Sequence, residues 1–158
     1  MDANKFLVDY IRPVLSEMDM FSAPAEKLLL MTACHESGGF RTKVQDGGGP
    51  ARSYFQVEPT TLEDLSDNYL RYRPHKIRVL EKFEGEGDSL AEMLLDNRYS
   101  VAVARMIYSR VPEPLPAVED NKNMARYWKT YWNTHLGAGT VKKFLADWKL
   151  YRPEGYHE

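Results

Sequence analysis

A single cysteine, Cys34, stands among 158 residues, so no intrachain disulfide can form and the fold does not depend on oxidation. No apolar run reaches the length of a membrane span, and the N-terminal segment carries none that reads as a secretion signal. A target beyond the cytoplasm would need some other means of delivery. The formal charge is only −2, which does not advertise a nucleic-acid binder. The basic residues Arg71, Arg73, Lys76 and Arg78 read as a solvated helix face rather than a phosphate-binding patch. None of the four histidines, His35, His75, His135 and His157, sits at a metal-ligand spacing with another. The run HESGG begins like the zinc-protease motif H-E-x-x-H, but Gly39 occupies the fifth position. The triplet Gly47-Gly48-Gly49 lacks the Gly-Lys-Ser/Thr ending of a phosphate loop. No metal and no cofactor are expected, and there are no internal repeats.

What is present suits one domain over residues 1–158 with a real core. Phe6, Leu7, Tyr10, Ile11, Val14, Leu15 and Met18 fall at helical spacing, with Pro13 placed to kink or shorten the helix. Ser22 reads as an N-cap with Pro24 in the first turn, and Gly38-Gly39 should stop the helix that follows. Residues 40–57 look irregular: Asp46-Gly47 is a turn pair, and SYFQV is either a short strand or an extended piece against the core. Thr60, with Glu63 three residues on, reads as a capping box. Further helical patterns run from Pro74 to Phe83, Leu90 to Leu95, Tyr99 to Tyr108, Asn123 to Tyr131 and Val141 to Leu150. The segment RVPEPLPAVED is a rigid connector, with three prolines in five residues. The expected fold is mainly α, of about six to eight helices, with one irregular insert after Glu36.

Glu36 lies in the last turn of its helix, where the backbone dipoles disfavour negative charge. With burial added, such a carboxyl holds its proton more tightly, as a general acid must. The same position also suits an ordinary helix-end glutamate.

The residues ESGGF followed by GPARSYFQVEPTT resemble the paired signature of lytic transglycosylases in the lysozyme-like superfamily. That signature is Glu-Ser-x-x-Phe, then Gly-Ala-x-Gly-Leu-x-Gln-x-x-Pro-x-Thr. Glu36, Ser37 and Phe40 match the first block, and Gln56, Pro59 and Thr61 the second. A third block, Ala-Tyr-Asn-Ala-Gly-x-Gly-x-Val, resembles YWNTHLGAGTV through Trp132, Asn133, Gly137, Gly139 and Val141. The three blocks stand in the family's order and span most of the chain. Two departures stand out: Ser53-Tyr54 replaces the family's Gly-Leu, and the tail is stretched within Thr134-His135-Leu136.

The resemblance implies a lysozyme-like domain with a glycine-rich irregular or short β insert after the catalytic-glutamate helix. It implies a bacteriophage cell-wall enzyme acting on peptidoglycan glycan strands at the MurNAc–GlcNAc β-1,4 bond. Glu36 would serve as acid and then base, leaving 1,6-anhydro ends. A hydrolytic lysozyme would instead need a second carboxylate, for which Asp46 and Glu58 are the candidates. Candidate substrate contacts are Ser37, Tyr54, Gln56, Tyr131, Trp132 and Asn133. Ser37 is equally read as a helix-end cap, Asp46 as a turn residue, and one or more of the aromatics as core. His35 is read as structural, facing away from Glu36. Cys34 is read as a small buried hydrophobe rather than a nucleophile paired with His135. The protein is expected to be a monomer that meets a phage holin or virion components. It would reside in the host cytoplasm before release or in the particle. A binding or structural phage protein that has lost its chemistry is the contrasting class.

Overall fold

The computed structural model describes residues 1–133 and 137–156. Among them the chain is mainly helical, with eight α-helices and almost no strand. Ala3–Phe6, Leu7–Ile11 and Arg12–Glu17 run on as one helix, α1. Pro13 leaves its mark just upstream, where Leu7–Ile11 is wound as a π-turn and the Arg12 N–H donates to the Leu7 carbonyl five residues back. The wider turn relieves the clash that a proline ring makes with the carbonyl four residues before it.

Helix α2, Ala23–Glu36, is the axis of the molecule. The Ser22 hydroxyl accepts from the Ala25 N–H at 3.1 Å, and Pro24 occupies the first turn. Every residue from Ala25 to Cys34 is buried. The helix is thus enclosed on all sides rather than along one apolar face, and its polar side chains are each satisfied. Glu26 takes the Arg12 guanidinium and the Tyr156 hydroxyl. Lys27, fully buried, donates to the Val118 carbonyl at 2.7 Å. Thr32 donates to the Leu28 carbonyl and shares a 2.8 Å hydrogen bond with the Tyr108 hydroxyl.

Helix α3, Pro59–Asn68, starts two residues earlier than a Thr60 cap would allow. Its N-cap is Glu58, extended and without a side-chain cap bond, because Pro59 already supplies the helical φ and needs no hydrogen-bond partner. A 3-10 turn, Leu70–Tyr72, leads to α4, Pro74–Glu81, then α5, Leu90–Leu94, and α6, Asn97–Ser109. Helix α7, Asn121–Trp128, runs into a second π-turn, Lys129–Asn133. Helix α8, Val141–Tyr151, packs against α2 and α7. The proline connector between α6 and α7 is tied down by Lys27 and by the Tyr127 hydroxyl, which donates to the Glu113 carbonyl. No helix among the described residues is long and apolar enough to cross a membrane. Two of the basic residues noted above are folded onto one ring. The Arg73 guanidinium lies 4.0 Å from the Tyr69 centroid, and Lys76 donates to the Tyr69 hydroxyl.

The insert between α2 and α3 is held by single bridges, Val44 to Arg52 and Arg52 to Val57. SYFQV is therefore neither strand nor extended piece. Arg52 and Val57 exchange backbone hydrogen bonds at 2.9 and 2.8 Å around a tight turn, with Ser53 and Gln56 at positive φ. Gly47 also takes positive φ, in the 3-10 turn Asp46–Gly48.

A candidate active-site cleft

Helix α2 ends on Glu36, and the chain then passes through left-handed conformations at Gly38, Gly39 and Phe40. Ser37 fixes this reversal. Its buried hydroxyl donates to the Ala33 carbonyl and accepts from the Phe40 N–H, both at 2.6 Å. Ser37 therefore closes the helix end and does not line the cleft. The reversal delivers Phe40 to a cluster with Phe6, Tyr54 and Phe55, and leaves Glu36 on the lining of a cleft of about 570 Å³.

Gln45, Gln56, Val57 and Glu58 from the insert line one wall, with Thr61 from the first turn of α3. Ile107 of α6 contributes to the cleft, and Tyr131, Trp132, Asn133 and Gly137 complete its lining. The fold thus gathers Glu36, Gln56, Glu58, Tyr131, Trp132 and Asn133 from three separate stretches of sequence. Two other candidates lie elsewhere. Tyr54 is buried, its ring 5.3 Å from Phe6 and 5.1 Å from Phe40 and beneath the Lys43 ammonium, so it packs the core. Asp46 is exposed outside the cleft and accepts from both terminal nitrogens of Arg41. That pairing holds its carboxyl below the usual range and makes it a turn residue. Gln45, Thr61 and Ile107 join the wall without having been marked for it. Thr61 lay within the matched block, while nothing local in the sequence distinguished Gln45 or Ile107.

Glu36 is the unusual group. Its side chain is only 17% exposed, and burial pushes its pKa up to about 7. The Trp128 indole pulls in the opposite direction. The Trp128 N–H is itself buried and makes no hydrogen bond of ordinary geometry, and its pull on Glu36 is weaker than that of burial. His35 does not face away as expected. Its Nε2 lies 3.9 Å from a Glu36 carboxyl oxygen, while Nδ1 is 2.7 Å from Asp147 of α8. Burial lowers the His35 pKa against the opposing pull of Asp147. Near neutrality the contact therefore joins a neutral imidazole to a carboxyl that is largely protonated below pH 7. Next to it, Cys34 is buried and its thiol is pushed up to about 12, chiefly by burial. That leaves it a packing residue; its proposed partner His135 lies outside the described residues.

The wall of Tyr131, Trp132 and Asn133 hangs on Lys129. Its ammonium donates to the Asn133 side-chain oxygen at 2.7 Å, to the Gly137 carbonyl at 3.1 Å and to the Gly139 carbonyl at 2.6 Å. Asn133 Oδ1 is therefore engaged from behind, leaving its amide N–H₂ as the group to offer a ligand. Trp132 lies against Tyr108, with ring centroids 5.0 Å apart, and Tyr131 meets Tyr127 edge-on at 4.8 Å. Gln56 Nε2 donates to the Ser53 carbonyl at 2.9 Å, so one end of that amide orders the insert. Replacing Lys129 by Met should keep the packing of the stem but free three acceptors. We expect a loss of about 1–3 kcal/mol in chemical denaturation and faster hydrogen exchange at Gly137 and Gly139.

Compared with protein-family models, with curated proteins and with solved structures, the chain finds no match in any of the three.

Proposed function

We propose that the protein cleaves the glycan strand of peptidoglycan at the MurNAc–GlcNAc β-1,4 bond as a lytic transglycosylase, on a lysozyme-like domain. The observation that carries this reading is the Glu36 carboxyl, desolvated until its pKa reaches about 7, on the lining of a cleft walled by aromatic and amide side chains. Cleavage of a glycosidic bond needs a proton on the leaving oxygen, and an acid with a pKa near the working pH supplies it best. Glu36 donates that proton. Its carboxylate then draws a proton from the sugar's own 6-hydroxyl, and that oxygen closes on the anomeric carbon to give a 1,6-anhydro end. No water and no second carboxylate take part. Tyr131 and Trp132 offer ring faces to the sugars, and Gln56 and Asn133 offer amides to their N-acetyl groups. Such an enzyme fits a phage that releases it through a holin or carries it in the virion, acting as a monomer on the polymer.

A second reading is favoured by one observation, the place of Glu58 on the same cleft. In a lysozyme that carboxylate would activate water or attack the sugar. Digestion of purified peptidoglycan separates the two by mass. Fragments lighter by one water than reducing muropeptides support the transglycosylase, and reducing ends support a lysozyme using Glu58. Absence of cleavage across several wall types would overturn both in favour of a binding or structural role. Because the acid must be protonated, the cleavage rate should fall as the pH rises through about 7, measured as turbidity loss of wall suspensions at constant ionic strength.

A further inference from the structure

Behind Glu36 lies a set of buried groups that the proposed reaction leaves unused. Asp147 is buried within α8, and each of its oxygens has one partner. Lys143 donates to Oδ1 at 2.6 Å, and His35 meets Oδ2 through Nδ1 at 2.7 Å. A lysine ammonium can only donate, and an ionised carboxylate can only accept. The proton of a neutral His35 ring must then sit on Nδ1, with the lone pair on Nε2. That nitrogen lies 3.9 Å from Glu36 Oε2, too far for a hydrogen bond in the resting geometry. The imidazole cannot swing away easily. Trp128 meets it edge-on at 4.7 Å between centroids, and Phe144 lies at 5.6 Å.

We infer that Asp147 locks His35 in the Nδ1–H tautomer so that its Nε2 lone pair faces the Glu36 carboxyl, making His35 a positioning residue that favours the protonated acid. The opposite tautomer would aim an N–H at Glu36 and favour the carboxylate instead. The inference rests on the reading of Glu36 as the acid. Other groups also bear on the pair. Asp147 and Lys143 come from α8, Tyr108 from α6 with its hydroxyl held by Thr32, and Cys34 from α2 itself. Glu58 lines the same cleft, and the Trp128 indole does not titrate. None of them supplies a fixed acceptor to Glu36 among the described contacts.

The test pairs nitrogen NMR of the His35 ring with a carboxyl titration of Glu36, on the whole protein and on Asp147→Asn. In the unaltered protein the ring should be neutral with its proton on Nδ1. In the variant, Lys143 takes the asparagine oxygen, so the amide N–H₂ turns to His35 Nδ1 and drives the ring proton to Nε2. The Glu36 titration midpoint should then fall by about one pH unit, and the alkaline limb of glycan cleavage with it. A purely structural Asp147 would lower stability and leave that midpoint in place. An Nε2–H ring or an imidazolium in the unaltered protein at pH 7 would overturn the inference, even where the variant fails to fold. So would an unmoved Glu36 midpoint in a folded variant. If the unaltered protein cleaves no peptidoglycan, the functional reading falls, while the ring and carboxyl titrations still decide the tautomer lock.

Discussion

Glu36→Gln is expected to stop glycan cleavage and, at the same time, to make the folded protein more stable above pH 7. The first effect follows from the chemistry. An amide of nearly the same shape cannot donate the carboxylic proton, and loss of general acid catalysis lowers rates by about 10²–10⁴-fold. The second follows from linkage. The folded pKa stands at about 7 against an ordinary 4.5, raised by burial. Below pH 4.5 the acid is neutral in both states and costs nothing. As the pH rises toward 7, the unfolded chain gives up its proton more readily than the folded one, and stability is lost. Above pH 7 the loss is complete, on the order of 3 kcal/mol. The variant has no charge to bury. Its denaturation midpoint should match that of the parent near pH 4 and exceed it near pH 8. Equal midpoints at both pH values would mean that Glu36 is solvated and not poised as an acid.

Phe6→Ala should cost the most stability of any single truncation around the insert. The Phe6 ring is fully buried, and four aromatic rings surround it: Tyr10 at 5.6 Å between centroids, Phe40 at 5.2 Å, Tyr54 at 5.3 Å and Phe55 at 5.7 Å. Truncation of such a residue removes roughly 3–5 kcal/mol through lost burial and the cavity left behind. That is a large part of the roughly 5–15 kcal/mol that holds a domain together. Phe6→Leu, which fills most of the space, should cost much less. The damage should reach the cleft as well. Phe40 and Phe55 anchor the two ends of the irregular insert, and Gln56, at positive φ, directly follows Phe55. We expect thermal melts by circular dichroism to show the full cost. Cleavage measured well below the melting point should also weaken, because the Gln56 wall loses its register.

These two side chains differ in how far the sequence disclosed them. Glu36 was legible because its signals are local: a cap at Ser22, an apolar run, and a glycine pair that could only stop the helix. The start of α3 falls two residues before the one a Thr60 cap implies, because Pro59 begins a helix without help from Thr60. The turn at Ser53–Gln56 was hidden because its left-handed residues are not glycines, so nothing in their identity announces the conformation. Tyr54 looked like a sugar platform beside Gln56, yet partners some fifty residues away in the chain claim it for the core. His35 and Asp147 are 112 positions apart, and no periodicity connects them. Tyr131, Trp132 and Asn133 could be grouped with Glu36 only through the motif pattern, since the fold alone brings them to one cleft.

The π-turn at Lys129–Asn133 bears on how such a wall could arise. Relative to an α-helix, a π-turn accommodates one extra residue, and one residue of α-helix corresponds to about 100° of rotation. A three-nucleotide insertion in an ancestral gene would have been enough to swing Tyr131, Trp132 and Asn133 around the axis of α7, leaving Trp128 and the buried residues before it in place. Grip on a ligand and integrity of the core would then be separable by descent, with the wall free to vary in register while the scaffold beneath stays constant.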